Sequence, residues 1–217
     1  MNTLDLKNLE KKAFRSVHQD GLWDISIGGI VFSMSLLEYS NESDAFPILR
    51  FGLVLLGLVI SELILWGGKK FLTIPRMGQV KFGPQRQKRN RVMIAILAVI
   101  VMIQVAVVIG TALLLKNPQW ATSLGFSGTD QDRERLLVSM IGALFVGPST
   151  ALIAYFTDFM RGYYIAVLLA FAVFSMIWFA QPVFMTASAA LIIIPGIVLF
   201  VRFLRRYPLP PAEASRD

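Results

Sequence analysis

The sequence predicts an all-α integral membrane protein, a single bundle of six transmembrane helices with both termini in the cytoplasm (N-in/C-in). Three observations carry that prediction. Of 217 residues, 55% are apolar and only 16% charged. The apolar residues come in blocks, such as Val92 to Leu115 and Tyr163 to Ala180, that run without a charge. Each block is long enough to cross about 30 Å of hydrocarbon at 1.5 Å per residue. Finally, Lys and Arg crowd onto one side of the spans, as the counts below make explicit.

Residues 1–20 form a cytoplasmic segment with Leu4, Leu6, Leu9, Ala13, Phe14 and Val17 spaced as one face of a helix and Lys7, Lys11, Lys12 and Arg15 elsewhere. Such a segment lies on the membrane surface or leads, solvated, into the first span. The first apolar stretch, Gly21 to Leu37, lacks the A-x-A pattern of a cleaved signal and is read as a retained span. The membrane domain covers 21–206, with spans at 22–38, 47–67, 92–115, 136–156, 162–180 and 183–203. Gln181-Pro182 and the Thr157-to-Arg161 connection are short enough to predict antiparallel helical hairpins on either side of the fifth span. The stretches Tyr39 to Phe46 and Asn117 to Arg135 read as solvated loops, and 207–217, with Pro208, Pro210 and Pro211, as an extended cytoplasmic tail. Six spans with an inward N-terminus also permit a three-plus-three inverted arrangement.

Orientation follows from the cations. One side holds the four of the N-terminal segment, eight from Lys69 to Arg91, and Arg161, Arg202, Arg205, Arg206 and Arg216, which is 17. The other holds Arg50, Lys116, Arg133 and Arg135, which is 4. This asymmetry puts both ends in the cytoplasm of a cell whose inner membrane houses the chain.

The net charge of +7 sits beside apolar blocks, so it reads as orientation and attraction to anionic headgroups rather than nucleic-acid binding. The basic cytoplasmic loop 68–91 is the expected lipid- or partner-binding segment, through Lys69, Lys70, Arg76, Lys81, Arg86, Lys88, Arg89 and Arg91. Within it, Thr73 to Gly78 reads as a turn and Gln79 to Phe82 alternates as a short strand does. Membrane lipids, a protein partner or a second copy are the expected partners.

Glu62 lies inside the second span, about 7 Å from its cytoplasmic end, where a carboxylate must be paired, protonated or hydrated. It marks a proton or cation site or an anchor toward Lys69, Lys70 or an arginine of another helix. Topology puts Asp24, Glu62, Asp158 and Arg161 at similar depth, as one polar cluster serving as a vestibule or as an ion-pair network. Pro148 and Pro195 predict kinks in spans four and six. Ala143, Gly147 and Ala151 form a small-residue stripe for close packing or dimerisation, while Gln104 and Ser188 are read as interhelical hydrogen-bonding groups.

Enzyme templates fit poorly. Cysteine is absent and the only histidine, His18, lies outside the spans, so no metal site and no cofactor is expected. An aspartyl pair of Asp24 and Asp158 is conceivable, on two residues placed by topology alone. The first functional reading is a non-enzymatic membrane component. A proton-coupled carrier using Glu62 is the second, and a membrane-embedded enzyme acting on lipid the third.

Three stretches, Gln19-Asp20-Gly21-Leu22-Trp23-Asp24-Ile25, Ile74-Pro75-Arg76-Met77-Gly78-Gln79-Val80-Lys81-Phe82 and Phe203-Leu204-Arg205-Arg206-Tyr207-Pro208-Leu209-Pro210, together resemble a family of prokaryotic integral membrane proteins to which no activity is assigned. The resemblance implies a membrane location, carries over no functional residue, and draws attention to the cytoplasmic ends.

Overall fold

The computed structural model describes residues 18–37, 47–77, 84–116 and 131–208. Within them the chain is helical, with no strand. The helices are α1 (Leu22–Ser35), α2 (Pro47–Gly68), a π-helical turn (Lys69–Thr73) running into α3 (Ile74–Met77), α4 (Pro84–Lys116), α5 (Gln131–Phe156), α6 (Met160–Phe179) and α7 (Pro182–Arg206). Five apolar helices are long enough to cross a membrane: Phe51–Met77, Gln87–Thr111, Arg135–Phe156, Met160–Phe179 and Pro182–Arg206. The chain is therefore a multi-pass helical membrane protein. Where the first span is expected, α1 is a shorter apolar helix of 14 residues that reaches about 21 Å.

Two expectations for the basic loop change. Residues 73–77 are helical rather than a turn, and the basic run from Arg86 to Arg91 forms the first turns of α4. Pro75 is accommodated because the turn before it is wider: the Ile74 N–H bonds to the Lys69 carbonyl five residues back. The strand-like 79–82, the segment 1–17, the outer loop 39–46, residues 117–130 of the second outer loop and all but the first two residues of the tail lie outside the described residues, whereas 131–135, expected in that second loop, are the first residues of α5.

The chain divides into two compact units. One contains α1, α2, the π turn, α3, residues 157–159 and α7, and the other contains α4, α5 and α6. This division joins the first two helices with the last rather than following the order of the chain.

In the first unit, α1 lies against both α2 and α7. Its contacts with α2 are antiparallel: Leu22 meets Gly68, Gly29 meets Ser61 and Ser33 meets Gly57. The two helices use the same device, Gly-x-x-x-Ser, against each other. Each serine turns its hydroxyl back to the glycine carbonyl of its own helix, Ser33 to Gly29 at 2.7 Å and Ser61 to Gly57 at 2.8 Å. The hydroxyl is thereby satisfied without water, and the opposing glycine leaves room for the backbones to approach. On its other side α1 meets α7, where Gly196 abuts Asp24 and Ile25, and Gly28 abuts Ile193. Thr186 donates to Ser35 at 3.2 Å.

In the second unit, α5 packs antiparallel on α6, with Gly142 against Val173 and Ile177 and Gly147 against Ala170. The hairpin expected around 157–161 is therefore observed. Gln181-Pro182, where the other hairpin is expected, is the connection from one unit to the other; within the units α6 packs on α5 and α7 on α1. Ala180 ends α6 in the left-handed region at φ 49° and Pro182 starts α7.

Neither Pro148 nor Pro195 interrupts its helix. Beside Pro148, Ser149 Oγ donates to Phe145 O at 2.6 Å and Thr150 Oγ1 to Val146 O at 2.8 Å, each to the carbonyl four residues back. Gln104 of α4 donates to the same Phe145 carbonyl and to Ser149 Oγ, both at 3.0 Å, the interhelical role its sequence position predicts.

Candidate functional site

The most organised polar site is one the sequence reading passed over. Asp20, the last residue of the expected cytoplasmic segment 1–20, is fully buried at the start of α1. Gly21 adopts φ 74°, a left-handed conformation that a side chain would strain, and any Cβ there would run into the Gly196 carbonyl. That turn folds the Asp20 carboxylate back over the helix start, where Oδ1 accepts from Leu22 N–H at 3.3 Å. Oδ2 receives two further partners from the π-helical turn, Lys69 Nζ at 2.8 Å and Thr73 Oγ1 at 2.8 Å. Lys69 and Thr73 stand four residues apart, so they share the helix face that meets Asp20. A buried carboxylate is costly unless its lone pairs are matched, and here three donors meet it.

Around this node lie other polar groups of the same unit. His18 stands between Trp23, 5.9 Å away, and Phe159, 5.2 Å away. Asp24 is buried where Gly196 leaves space for it. Arg76 Nη1 reaches the Leu204 carbonyl in the last turns of α7 at 3.4 Å, a cation at the negative end of a helix dipole.

Of the expected cluster of Asp24, Glu62, Asp158 and Arg161, the first two lie on different faces of their unit. Glu62 is exposed, whereas Asp24 is buried toward α7. The antiparallel register of α1 and α2 also sets Glu62 level with Gly28, about 6 Å deeper than Asp24. Depth alone could not distinguish the two faces. Asp158 sits half-buried at φ 51° in the turn before α6, and Arg161 is half-buried in the first turn of α6.

The basic residues also separate by role. Lys69 is held by Asp20. Arg89 donates to the Tyr155 carbonyl at 2.8 Å and so caps the end of α5, flanked by the Tyr155 and Phe156 rings. Lys70 is exposed, its ammonium 4.7 Å above the Trp66 ring. Lys88 and Arg91 are exposed on α4, and Arg202, Arg205 and Arg206 on α7. Lys81 lies outside the described residues, as does the side chain of Arg86. Among the described residues no group of three or more His, Asp or Glu side chains is arranged to hold a metal ion.

Asp20 and Thr73 are 53 residues apart, so no local pattern links them. The one available signal was Asp20-Gly21 immediately before an apolar run, a helix-start signature. No family model, no curated protein and no solved structure matches the chain.

Proposed function

We propose that this chain is a six-span, N-in/C-in protein of the cytoplasmic membrane that acts without catalysis, by binding anionic lipid headgroups at its basic face. The observation that carries the reading is the exposure of Lys70, Lys88, Arg91, Arg202, Arg205 and Arg206 at the ends of long apolar helices. Lys70 rests on Trp66, and Arg206 is 5.9 Å from the Tyr207 ring, the pairing of cation and amphipathic ring that suits a headgroup layer. Each such cation adds about 1 kcal/mol of attraction to an anionic surface.

The antiparallel pairings α1 with α2, α1 with α7, α4 with α5 and α5 with α6 agree with six alternating spans. Although α1 is short, it is covered by protein on two sides, so its length need not match the lipid.

The reading is tested by native mass spectrometry of protein from nanodiscs containing equal phosphatidylglycerol and phosphatidylcholine. Selective retention of phosphatidylglycerol, reduced at least tenfold in a Lys70→Gln/Lys88→Gln/Arg91→Gln variant, is the expected result. Equal retention of both lipids by the unaltered protein overturns it. Arg89 is left intact because it caps α5.

A further inference from the structure

Arg76 leaves most of its hydrogen-bonding capacity unused. A guanidinium carries N–H groups along two edges, and one of these edges, Nε–H beside Nη2–H, grips a carboxylate or phosphate through two parallel bonds. In Arg76 the other edge is the one engaged: Nη1 donates to the Leu204 carbonyl at 3.4 Å, which sets the head beside the last turns of α7. Nε is shut off from water and has no acceptor. Among the described residues nothing accepts from Nη2 either. A buried donor left unmatched is costly, and an oxyanion on this edge removes the cost.

The first unit supplies no carboxylate for it. Among the described residues Arg76, Arg202, Arg205 and Arg206 form no ion pair. Asp20 is committed to Lys69, Thr73 and Leu22, and Asp24 abuts Gly196, about 12 Å along α7 from Leu204. The second unit has none to offer at this membrane face. Its acids, Asp130, Asp132 and Glu134, stand at the start of α5, which is the outer end of that helix in the six-span reading. Its cytoplasmic ends are the N-termini of α4 and α6, which present N–H groups, and the C-terminus of α5, where Arg89 takes the Tyr155 carbonyl.

We propose that Arg76 is the phosphate ligand of a discrete lipid site in the first unit, filled by one anionic phospholipid whose phosphodiester oxygens take the Nε–H and Nη2–H bonds. Arg76 and Leu204 both lie in the last turns of their helices, at the level where spans give way to headgroups. Arg205 and Arg206 follow Leu204 directly. With no acid to balance them, they repel the ammonium of a choline headgroup and favour a headgroup of net negative charge. The tail carries Glu213 and Asp217, but Pro208, Pro210 and Pro211 favour an extended chain over one that turns back to Leu204. This inference rests on the lipid-binding reading and narrows it from a basic face to one residue and one lipid.

Native mass spectrometry of protein from phosphatidylcholine nanodiscs sparsely doped with phosphatidylglycerol tests it. The unaltered protein is expected to keep a single phosphatidylglycerol per chain after the phosphatidylcholine is stripped. Arg76→Lys keeps the charge and a donor for Leu204 but loses the two-bond edge, and is expected to lower that occupancy about tenfold. The same exchange at an exposed arginine, Arg202→Lys, is expected to leave it unchanged. Equal retention of both lipids by the unaltered protein overturns the lipid-binding reading and this inference together. Selective retention of phosphatidylglycerol that Arg76→Lys does not reduce overturns this inference alone. Two further outcomes overturn the lipid as occupant. Capture of added inorganic phosphate by the unaltered protein in pure phosphatidylcholine nanodiscs assigns the edge to a soluble phosphate, and a gain of about tenfold in phosphatidylglycerol occupancy on Glu213→Gln/Asp217→Asn assigns it to the tail.

Discussion

Replacing Lys69 with methionine isolates the energetics of the buried node. The substitution keeps most of the side-chain volume and removes the cation 2.8 Å from Asp20 Oδ2. Asp20 is 0% exposed and Lys69 19% exposed, so the anion is left in place with no access to water. Removing one partner of a buried ion pair costs about 3–5 kcal/mol. Asp20 keeps its bonds from Thr73 and Leu22, which puts the expected loss at the lower end, about 3 kcal/mol, or about a hundredfold in the unfolding equilibrium. Denaturant titration in mixed micelles measures it. A second variant separates charge from packing: Asp20→Asn with Lys69→Met removes both charges, and the Thr73 hydroxyl rotates to accept from the new amide. That double variant is expected within about 1 kcal/mol of the unaltered protein. A loss below about 0.5 kcal/mol for Lys69→Met, or a double variant no more stable than the single, would refute the reasoning.

Two further predictions concern packing. Gly29→Ala brings a Cβ to 2.5 Å from Ser61 Oγ and is expected to cost about 1–3 kcal/mol, whereas Gly110→Ala meets nothing within 4 Å and is expected to be neutral or slightly stabilising; the same titration compares them. Gln104→Leu removes the bonds to Phe145 and Ser149 and is expected to destabilise the protein by about 0.6–1.7 kcal/mol without altering lipid retention, checked by titration and native mass spectrometry.

Much of the fold was legible because a membrane span announces itself by length and by the charges that end it. The expected span 47–67 became Pro47–Gly68, and 183–203 became Pro182–Arg206, each opening at its proline. The basic segment was misjudged because Pro75 and Gly78 signal a turn in water. A π-helical turn carries the helix through Pro75, and positive charges do not end α4 outside the hydrocarbon. The site was less legible. Depth can be counted along a span, but the face of a helix depends on its neighbours. Glu62 and Asp24 therefore looked alike in sequence and differ in the fold, and Asp20, expected at the end of a cytoplasmic segment, is met by Lys69 and Thr73 across 49 and 53 residues of chain.

Cysteine-accessibility mapping in intact cells tests the central account, basic helix ends in the cytoplasm beneath six alternating spans, most directly. Single cysteines at Lys88 and Arg206, exposed at helix ends, are predicted to resist a membrane-impermeant maleimide until the membrane is opened. A cysteine at Arg135 is predicted to react at once. Immediate labelling at 88 or 206, or protection at 135, would contradict both the orientation and the lipid-binding face built on it.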